Sequence, residues 1–197
     1  CHIELDRSFK PGHYVLEPGM NVVQVARMLK LGLQTPVRVT INNVRTPAQL
    51  AGKLARQIEA DSATIVGALT DPATARKAGF DSVTLFSMFI PDTYEFYWTV
   101  SPAQFIERMR REYDRFWTPQ RDAKRQRSGL SRLEVMTLAS IVYEETRQSD
   151  EMPRIAGVHQ PPAQRLAFAG RPDGQIRLAG VRTAAHPAPA PEISVAL

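Results

Sequence analysis

One predicted helix restricts the fold of this chain more than any other feature. Residues 131–147 have the sequence SRLEVMTLASIVYEETR, and Ser131 and Glu134 have the S-x-x-E spacing of a capping box. Apolar residues then recur at intervals of three and four, as they do on the inward face of an amphipathic helix. We therefore expect a long helix that packs one face against the rest of the protein.

A carboxylate continues the apolar face of this helix. Glu145 follows Leu138 by seven residues and Ile141 by four. Its neighbour Glu144 is turned about 100° away and should face solvent. Glu145 is therefore expected to lie against the core or a cleft wall. Burial raises the pKa of a carboxyl group, and an acid that stays protonated near neutral pH can act as a general acid.

A structural role explains the same spacing. Amphipathic helices often end with a half-buried glutamate that pairs with an arginine from elsewhere in the fold. Perturbed carboxylates mark functional sites only statistically. The spacing alone leaves both interpretations open.

Three separated segments share a family pattern in order and spacing. They are FIPDTYEFY at 89–97, LASIVYEET at 138–146 and DEMPRIAGV at 150–158. Together they resemble the endolytic murein transglycosylase family, also called MltG or YceG-like, and the resemblance covers residues 9–158. In that family the catalytic glutamate directly precedes the threonine of the helical motif. The resemblance therefore places the catalytic residue at Glu145, with Thr146 after it.

The resemblance implies an enzyme that cleaves peptidoglycan glycan strands without consuming water. Such an enzyme breaks bonds between N-acetylmuramic acid and N-acetylglucosamine and leaves 1,6-anhydro ends. Glu145 would act as its acid and base, and Asp92, Tyr94 and Thr146 would bind substrate. Most other rings of the segment around Tyr94 are expected to bury area in the core. No metal or cofactor is implied.

The resemblance also implies a location and partners. The family carries one N-terminal transmembrane anchor, which would lie upstream of Cys1. The protein is therefore expected in the inner membrane, single-pass, with its catalytic part on the periplasmic side. Its expected partners are peptidoglycan strands and cell-wall synthesis proteins, and nucleic acid is not among them.

The expected fold class is α+β. Residues 1–45 are expected to form a LysM-like module, in which strands at His13–Leu16 and Val37–Ile41 flank a helix that Asn21 caps. An alternative is a small αβ unit that packs on its neighbour for stability, since so short a module has a thin core. Residues 46–158 are expected to form a mainly helical, truncated catalytic domain.

The sequence changes character after Val158. Residues 159–197 contain six prolines and nine alanines, which is typical of a disordered tail. A second hypothesis starts from the position of the change, because the family continues there with a pattern like I-N-R-L-x-x-G-x-P-L-Q-x-D-P-T-V. Codons that encode this tail can encode such a pattern when they are read one base later. We therefore predict that the tail is translated out of frame, and that this chain lacks part of the catalytic cleft and is inactive.

Charge and composition narrow the kinds of ligand and site that the chain can have. The net charge of +5 favours anionic surroundings such as glycans, phosphate polymers or lipid. The basic run at 121–127 lacks the interleaved aromatic residues of a nucleic-acid site. Cys1 is the one cysteine, so the chain has no internal disulfide and no cysteine-based zinc site.

Two other functions are open. One is a non-catalytic peptidoglycan-binding or scaffold protein, in which the module at 1–45 supplies glycan affinity. The other is aminodeoxychorismate lyase, a pyridoxal-phosphate enzyme whose name has been attached to the family. That enzyme needs a buried lysine for its Schiff base, and no lysine of this chain lies in an apolar stretch. The lysines are Lys10, Lys30, Lys53, Lys77 and Lys124.

Overall fold

The structure is a computed structural model that describes residues 9–42 and 44–159. This part of the chain is mainly helical with one small antiparallel sheet, so the expected α+β class is confirmed. Its strands are β1 (Val37–Ile41) and β2 (Asp92–Phe96), and a short 3-10 helix covers Thr84–Met88. Its α-helices are α1 (Val22–Leu31), α2 (Pro47–Leu54), α3 (Ser62–Thr70), α4 (Pro72–Lys77), α5 (Pro102–Phe116), α6 (Pro119–Ser128), α7 (Arg132–Glu145) and α8 (Met152–His159).

Asn21 begins α1 as the sequence predicts, and Gly32 ends it. At the start of α1 the Asn21 side chain accepts a hydrogen bond from the Gln24 amide at 2.9 Å, and the Gln24 side chain accepts one from the Asn21 amide at 2.8 Å. These bonds satisfy amides that have no partner inside the helix. Gly32 ends α1 with a φ of 69°, a left-handed conformation that glycine adopts without strain. Later helices are capped by the side chains of Thr46, Asp61, Asp71, Thr118 and Ser131.

Chain contacts divide the described residues into two compact units, of which the first comprises residues 9–82 and 91–108. Inside it β1 pairs antiparallel with β2, and α2 packs against β1 and α3. Val39 lies opposite Tyr94 in this ladder, and both side chains are buried. The sheet therefore contributes one face to the core of the unit. The most deeply buried side chains there are Val39, Leu50, Leu54, Ile65, Leu69 and Phe105.

The predicted strand at His13–Leu16 is wrong, because these residues form no strand. The Thr35 amide donates to the His13 carbonyl at 2.8 Å, and the His13 Nδ1 lies 3.1 Å from the Thr35 carbonyl oxygen. The pairing ends there, and the strand at Val37–Ile41 instead takes its partner from β2, far along the chain. The LysM-like strand–helix–strand module is therefore not formed as predicted.

The second unit comprises residues 83–90 and 109–159. In it α7 packs against the 3-10 helix and against α8. Helix α5 begins in the first unit and ends in the second. The core of the second unit contains Leu85, Met88, Met109, Tyr113, Trp117, Leu130 and Val142.

A charge cluster joins α6 to the start of α7. The Asp122 carboxylate accepts hydrogen bonds from Arg125 Nε at 3.0 Å and from the Arg132 guanidinium. These bonds lower the pKa of Asp122 from its ordinary value of 3.8 to about 2, since they stabilise the carboxylate. The Arg132 guanidinium also lies 5.4 Å from the centroid of the Trp117 ring. The cluster thus fixes the start of α7 from two sides.

The compact units and the predicted domains have different boundaries. The boundary predicted near residue 45 falls within the first unit, and the assignment of residues 1–45 and 46–158 as domains stays a prediction. The predicted tail at 159–197 lies outside the described residues, apart from its first residue. Among the described helices, none is long and apolar enough to cross a bilayer.

Candidate active site

The candidate catalytic residue lies at the end of a helix whose start is well fixed. The Glu134 carboxylate accepts a hydrogen bond from the Ser131 amide at 2.7 Å, and the Ser131 hydroxyl accepts one from the Glu134 amide at 3.2 Å. The predicted capping box is therefore confirmed. The bonds from Ser131 lower the pKa of Glu134, because they stabilise its carboxylate. From this start α7 runs for 14 residues to Glu145.

Thr146 ends α7 and closes the turn that follows it. Its amide donates to the Val142 carbonyl at 3.1 Å. Its hydroxyl donates to Oε2 of Glu151 at 2.7 Å and accepts from the Gln148 amide at 3.0 Å. The residue is only 8% exposed. These contacts make Thr146 a positioning residue for the backbone beside Glu145, and its predicted contact with substrate stays a prediction.

The expected burial of Glu145 is wrong. Its side chain is exposed, and so is that of Ile141 four residues earlier. Val142 is buried and Leu138 is partly buried. Glu145 therefore lies at the margin of the packed face of α7, where water reaches its carboxylate. Glu144 is exposed, as expected.

Among the described residues, the structural alternative for Glu145, a pair with an arginine, is not formed either. Within residues 9–42 and 44–159, no hydrogen bond or ion pair engages its carboxylate. The nearby Arg147 places its guanidinium over the Tyr143 ring, 4.7 Å from the ring centroid. The carboxylate of Glu145 is thus available to a bound ligand, with which it can exchange a proton.

Asp92 and Tyr94 lie on β2 in the first unit. Asp92 pairs with Ile41 at the end of the ladder, is exposed, and accepts a hydrogen bond from the Thr93 amide at 2.7 Å. Tyr94 is 7% exposed, and its ring centroid lies 6.4 Å from that of Phe96. Asp92 is accessible to a ligand, whereas the Tyr94 ring belongs to the core. Their roles in substrate binding stay predictions.

Tyr97 is an accessible ring, although most rings of this segment other than Tyr94 were expected to be buried. It directly follows β2 and is 57% exposed, while Phe96 beside it is buried. The signal was present in the sequence, because alternation along a strand places Tyr94 and Phe96 on one face and Tyr97 on the other. An exposed tyrosine offers both an apolar ring face and a hydroxyl to a ligand.

The four predicted site residues are divided between the two units. Asp92 and Tyr94 belong to the first, and Glu145 and Thr146 belong to the second. In the part of the chain that is described, no three His, Cys, Asp or Glu side chains are grouped as a metal site requires. Asp92 and Glu145 each present an exposed carboxylate, a group that can transfer protons.

Comparison with known proteins relates the chain to a family and to a solved fold. The model of the YceG-like family matches residues 2–166. A crystal structure of a yceG-like protein from Listeria monocytogenes is similar, with a TM-score of 0.55 and 21% sequence identity. The similarity covers 74% of this chain and 53% of the Listeria chain, so this chain spans about half the length of that protein. At this identity the likeness concerns the fold alone. No curated protein matches the chain in sequence.

Proposed function

The chain belongs to the YceG-like family, and from that premise we propose that its lineage cleaves peptidoglycan glycan strands as an endolytic lytic transglycosylase. The observation that carries the proposal is the place of Glu145, which is the last residue of α7 and directly precedes Thr146. The resemblance puts the catalytic glutamate at this point of the motif. Burial adds no support, because Glu145 is exposed.

The proposed reaction needs one carboxyl group in two roles. In the first step the protonated Glu145 donates its proton to the oxygen that links C1 of N-acetylmuramic acid to N-acetylglucosamine, and the C1–O bond breaks. In the second step the Glu145 carboxylate accepts the proton of the C6 hydroxyl as O6 bonds to C1. The products are a 1,6-anhydro end and a new N-acetylglucosamine end, and no water is consumed. A second catalytic acid, which glycosidases ordinarily use, is not required.

The same proposal assigns the surroundings of the reaction. The substrate is peptidoglycan, and the protein acts on the periplasmic side of the inner membrane, held by an anchor upstream of Cys1. The exposed carboxylate of Asp92 is suited to accept hydrogen bonds from sugar hydroxyls. Tyr94 lies two residues after Asp92 in β2 with its ring buried, and the accessible ring of Tyr97 offers a face to a sugar. Cell-wall synthesis proteins are the partners that this role implies.

We propose that the 197-residue chain itself lacks this activity. The family pattern like I-N-R-L-x-x-G-x-P-L-Q-x-D-P-T-V, which completes the cleft, does not follow Val158 in its sequence. The activity then belongs to a chain whose codons after Val158 are read one base later, which we call the in-frame chain. That chain carries the family pattern after I-A-G-V.

A digestion experiment tests both parts of the proposal. Purified sacculi are incubated separately with the 197-residue chain, with the in-frame chain and with the Glu145→Gln variant of the in-frame chain. The masses of the released fragments are then measured by mass spectrometry. Only the in-frame chain should release fragments with 1,6-anhydro ends. Glu145→Gln should reduce its rate about 100-fold or more, the usual contribution of acid–base catalysis.

The matched control is Glu144→Gln in the in-frame chain. It makes the same change at the exposed neighbouring position, so it should leave the rate within about twofold of the unsubstituted chain, as most surface changes do. The proposal is contradicted if the in-frame chain releases no anhydro ends, or if Glu145→Gln and Glu144→Gln lower the rate equally.

The change of sequence after Val158 favours a second candidate function for the 197-residue chain. A chain that has lost its cleft can still bind peptidoglycan without cutting it. A pull-down with sacculi should then retain the chain, and Glu145→Gln should be retained equally. Loss of retention in Glu145→Gln alone would instead tie binding to the catalytic residue.

A further inference from the structure

Apolar side chains are concentrated on the surface near the start of the first unit. Thirteen large hydrophobic side chains are exposed in the described part of the chain, and seven of them lie within residues 9–33. Soluble proteins rarely gather apolar side chains on their surface unless those side chains meet a partner. The seven are Phe9, Leu16, Met20, Val22, Val23, Leu31 and Leu33.

One side of α1 combines apolar and cationic side chains. Val23, Arg27, Lys30 and Leu31 are separated by four, three and one residues, which places them on the same side of the helix. All four are exposed, and we call them the α1 outer face. The other side of α1 packs inward through the half-buried side chains of Val25, Ala26, Met28 and Leu29.

A further cation lies beside the end of α1. The Lys10 amide donates to the Leu29 carbonyl at 3.2 Å. The Lys10 stem passes so close to Gly32 that a Cβ on that glycine would lie 2.6 Å from Lys10 Cδ. Lys10 is itself exposed, and its backbone bond keeps it next to the last turn of α1.

The charge around the α1 outer face is one-sided. In the sequence of residues 9–42, Glu17 is the one acidic residue, against four lysines and arginines. No described residue forms an ion pair with Arg27, Lys30 or Lys10. The α1 outer face and Lys10 therefore combine apolar side chains with cations that no described carboxylate pairs with.

We propose that the α1 outer face, together with Lys10, docks this protein on an anionic phospholipid surface. Val23 and Leu31 enter the boundary between headgroups and acyl chains, as the apolar side of an interfacial helix does. Arg27, Lys30 and Lys10 meet lipid phosphates, and their long stems allow the charges to stay in water while the helix approaches. This docking is independent of any chemistry at Glu145.

A glycan strand fits this surface less well. Sugar hydroxyls that lose water against Val23 and Leu31 gain no hydrogen-bond partner, which costs free energy. Acyl chains carry no such groups. The α1 sequence also contains no aromatic residue that could pack on a sugar ring.

Vesicle co-sedimentation of the full 197-residue chain tests the proposal. The chain should pellet with vesicles of phosphatidylcholine and phosphatidylglycerol, and not with vesicles of phosphatidylcholine alone. Binding should weaken as salt rises, because the Debye length falls from about 10 Å at 0.1 M to about 3 Å at 1 M. The double variant Arg27→Gln, Lys30→Gln should bind about 30-fold more weakly, given the usual contribution of each cation near an anionic surface.

Two further variants separate this surface from general charge effects. Arg56→Gln with Lys77→Gln removes two exposed cations elsewhere in the first unit and should leave binding within about twofold, as most exposed changes do. Val23→Ser with Leu31→Ser keeps every charge and should still weaken binding to anionic vesicles. Circular dichroism establishes that each variant folds.

Three results would overturn the proposal. The first is equal binding to neutral and anionic vesicles. The second is an equal loss of binding to anionic vesicles in the Arg56/Lys77 and the Arg27/Lys30 double variants. The third is that the chain binds no vesicles but is retained by lipid-extracted sacculi, and that Val23→Ser with Leu31→Ser abolishes this retention. That result would assign the surface to glycan.

Discussion

The hydroxyl of Thr146 donates a 2.7 Å hydrogen bond to the carboxylate of Glu151. This bond spans the turn between α7 and α8, and it starts from the residue directly after Glu145. Thr146 is nearly buried, whereas Glu151 is exposed. The pair therefore fixes the backbone at the end of α7 while it leaves the Glu145 side chain accessible.

Removal of the Thr146 hydroxyl should loosen this turn. Thr146→Val keeps the volume but leaves the Gln148 amide and the Glu151 carboxylate without their partner, and should lower the free energy of unfolding by about 1 kcal/mol. Thr146→Ser keeps the hydroxyl and should lose less. Urea denaturation measures the free energy of unfolding of both variants. If the two variants are equally stable, the bond between Thr146 and Glu151 does not position the end of α7.

The capping box of α7 was visible in the sequence, whereas the exposure of Glu145 was not. Periodicity correctly placed Leu138 and Val142 on the packed side of α7, but it also placed Ile141 there, which is exposed. It could not define how far the covering elements extend around the helix, because that depends on segments far away in the chain. Glu145 falls just beyond the covered part.

The sheet illustrates the same limit. The alternation in Val37–Ile41 predicted a half-buried strand, and Val39 and Ile41 are indeed buried. Alternation in one segment does not identify its partner, however, and β1 pairs with β2 and not with His13–Leu16. An extended segment forms a β-strand only when another segment offers it hydrogen bonds in register.

The start of α7 should depend on its cap. Ser131→Ala removes the oxygen that accepts from the Glu134 amide, and should lower the free energy of unfolding by about 1 kcal/mol. Ser131→Asp keeps an acceptor at the same position and should retain most of the stability. Thr137→Ala, at an exposed position inside the helix, is the control and should change stability by no more than about 0.5 kcal/mol. Equal melting temperatures for Ser131→Ala and Thr137→Ala would contradict the role of the cap.

Acid should destabilise the protein through Asp122. The pKa of Asp122 is about 2 in the folded state and 3.8 ordinarily, so the unfolded chain binds more protons between these values. The stabilisation by Asp122 is therefore complete above about pH 4 and is lost as pH falls toward 2. Thermal unfolding across this range measures the loss. Asp122→Asn should make the melting temperature depend less on pH in this range, whereas Asp114→Asn, which changes an exposed carboxylate on α5, should not. An identical pH dependence of the two variants would rule out the Asp122 cluster as the cause.

The in-frame chain should cover surface of α7 that this chain exposes. Leu133, Ile141 and Tyr143 are all exposed large side chains on α7. Burial of apolar area stabilises a fold by about 25 cal/mol per Å², so a segment that packs on these residues raises the free energy needed to open the helix. Amide hydrogen exchange should then be slower in α7 of the in-frame chain than in α7 of the 197-residue chain.

Helix α2 provides the internal control for this comparison. Its Leu50 and Leu54 are fully buried in the 197-residue chain, so its exchange should change much less than that of α7. Equal exchange of α7 in the two chains would mean that the residues after Val158 do not pack on this helix. Resequencing the gene across the Val158 codon tests the premise itself, because an uninterrupted frame that encodes residues 159–197 as they stand removes the reason to expect any such cover.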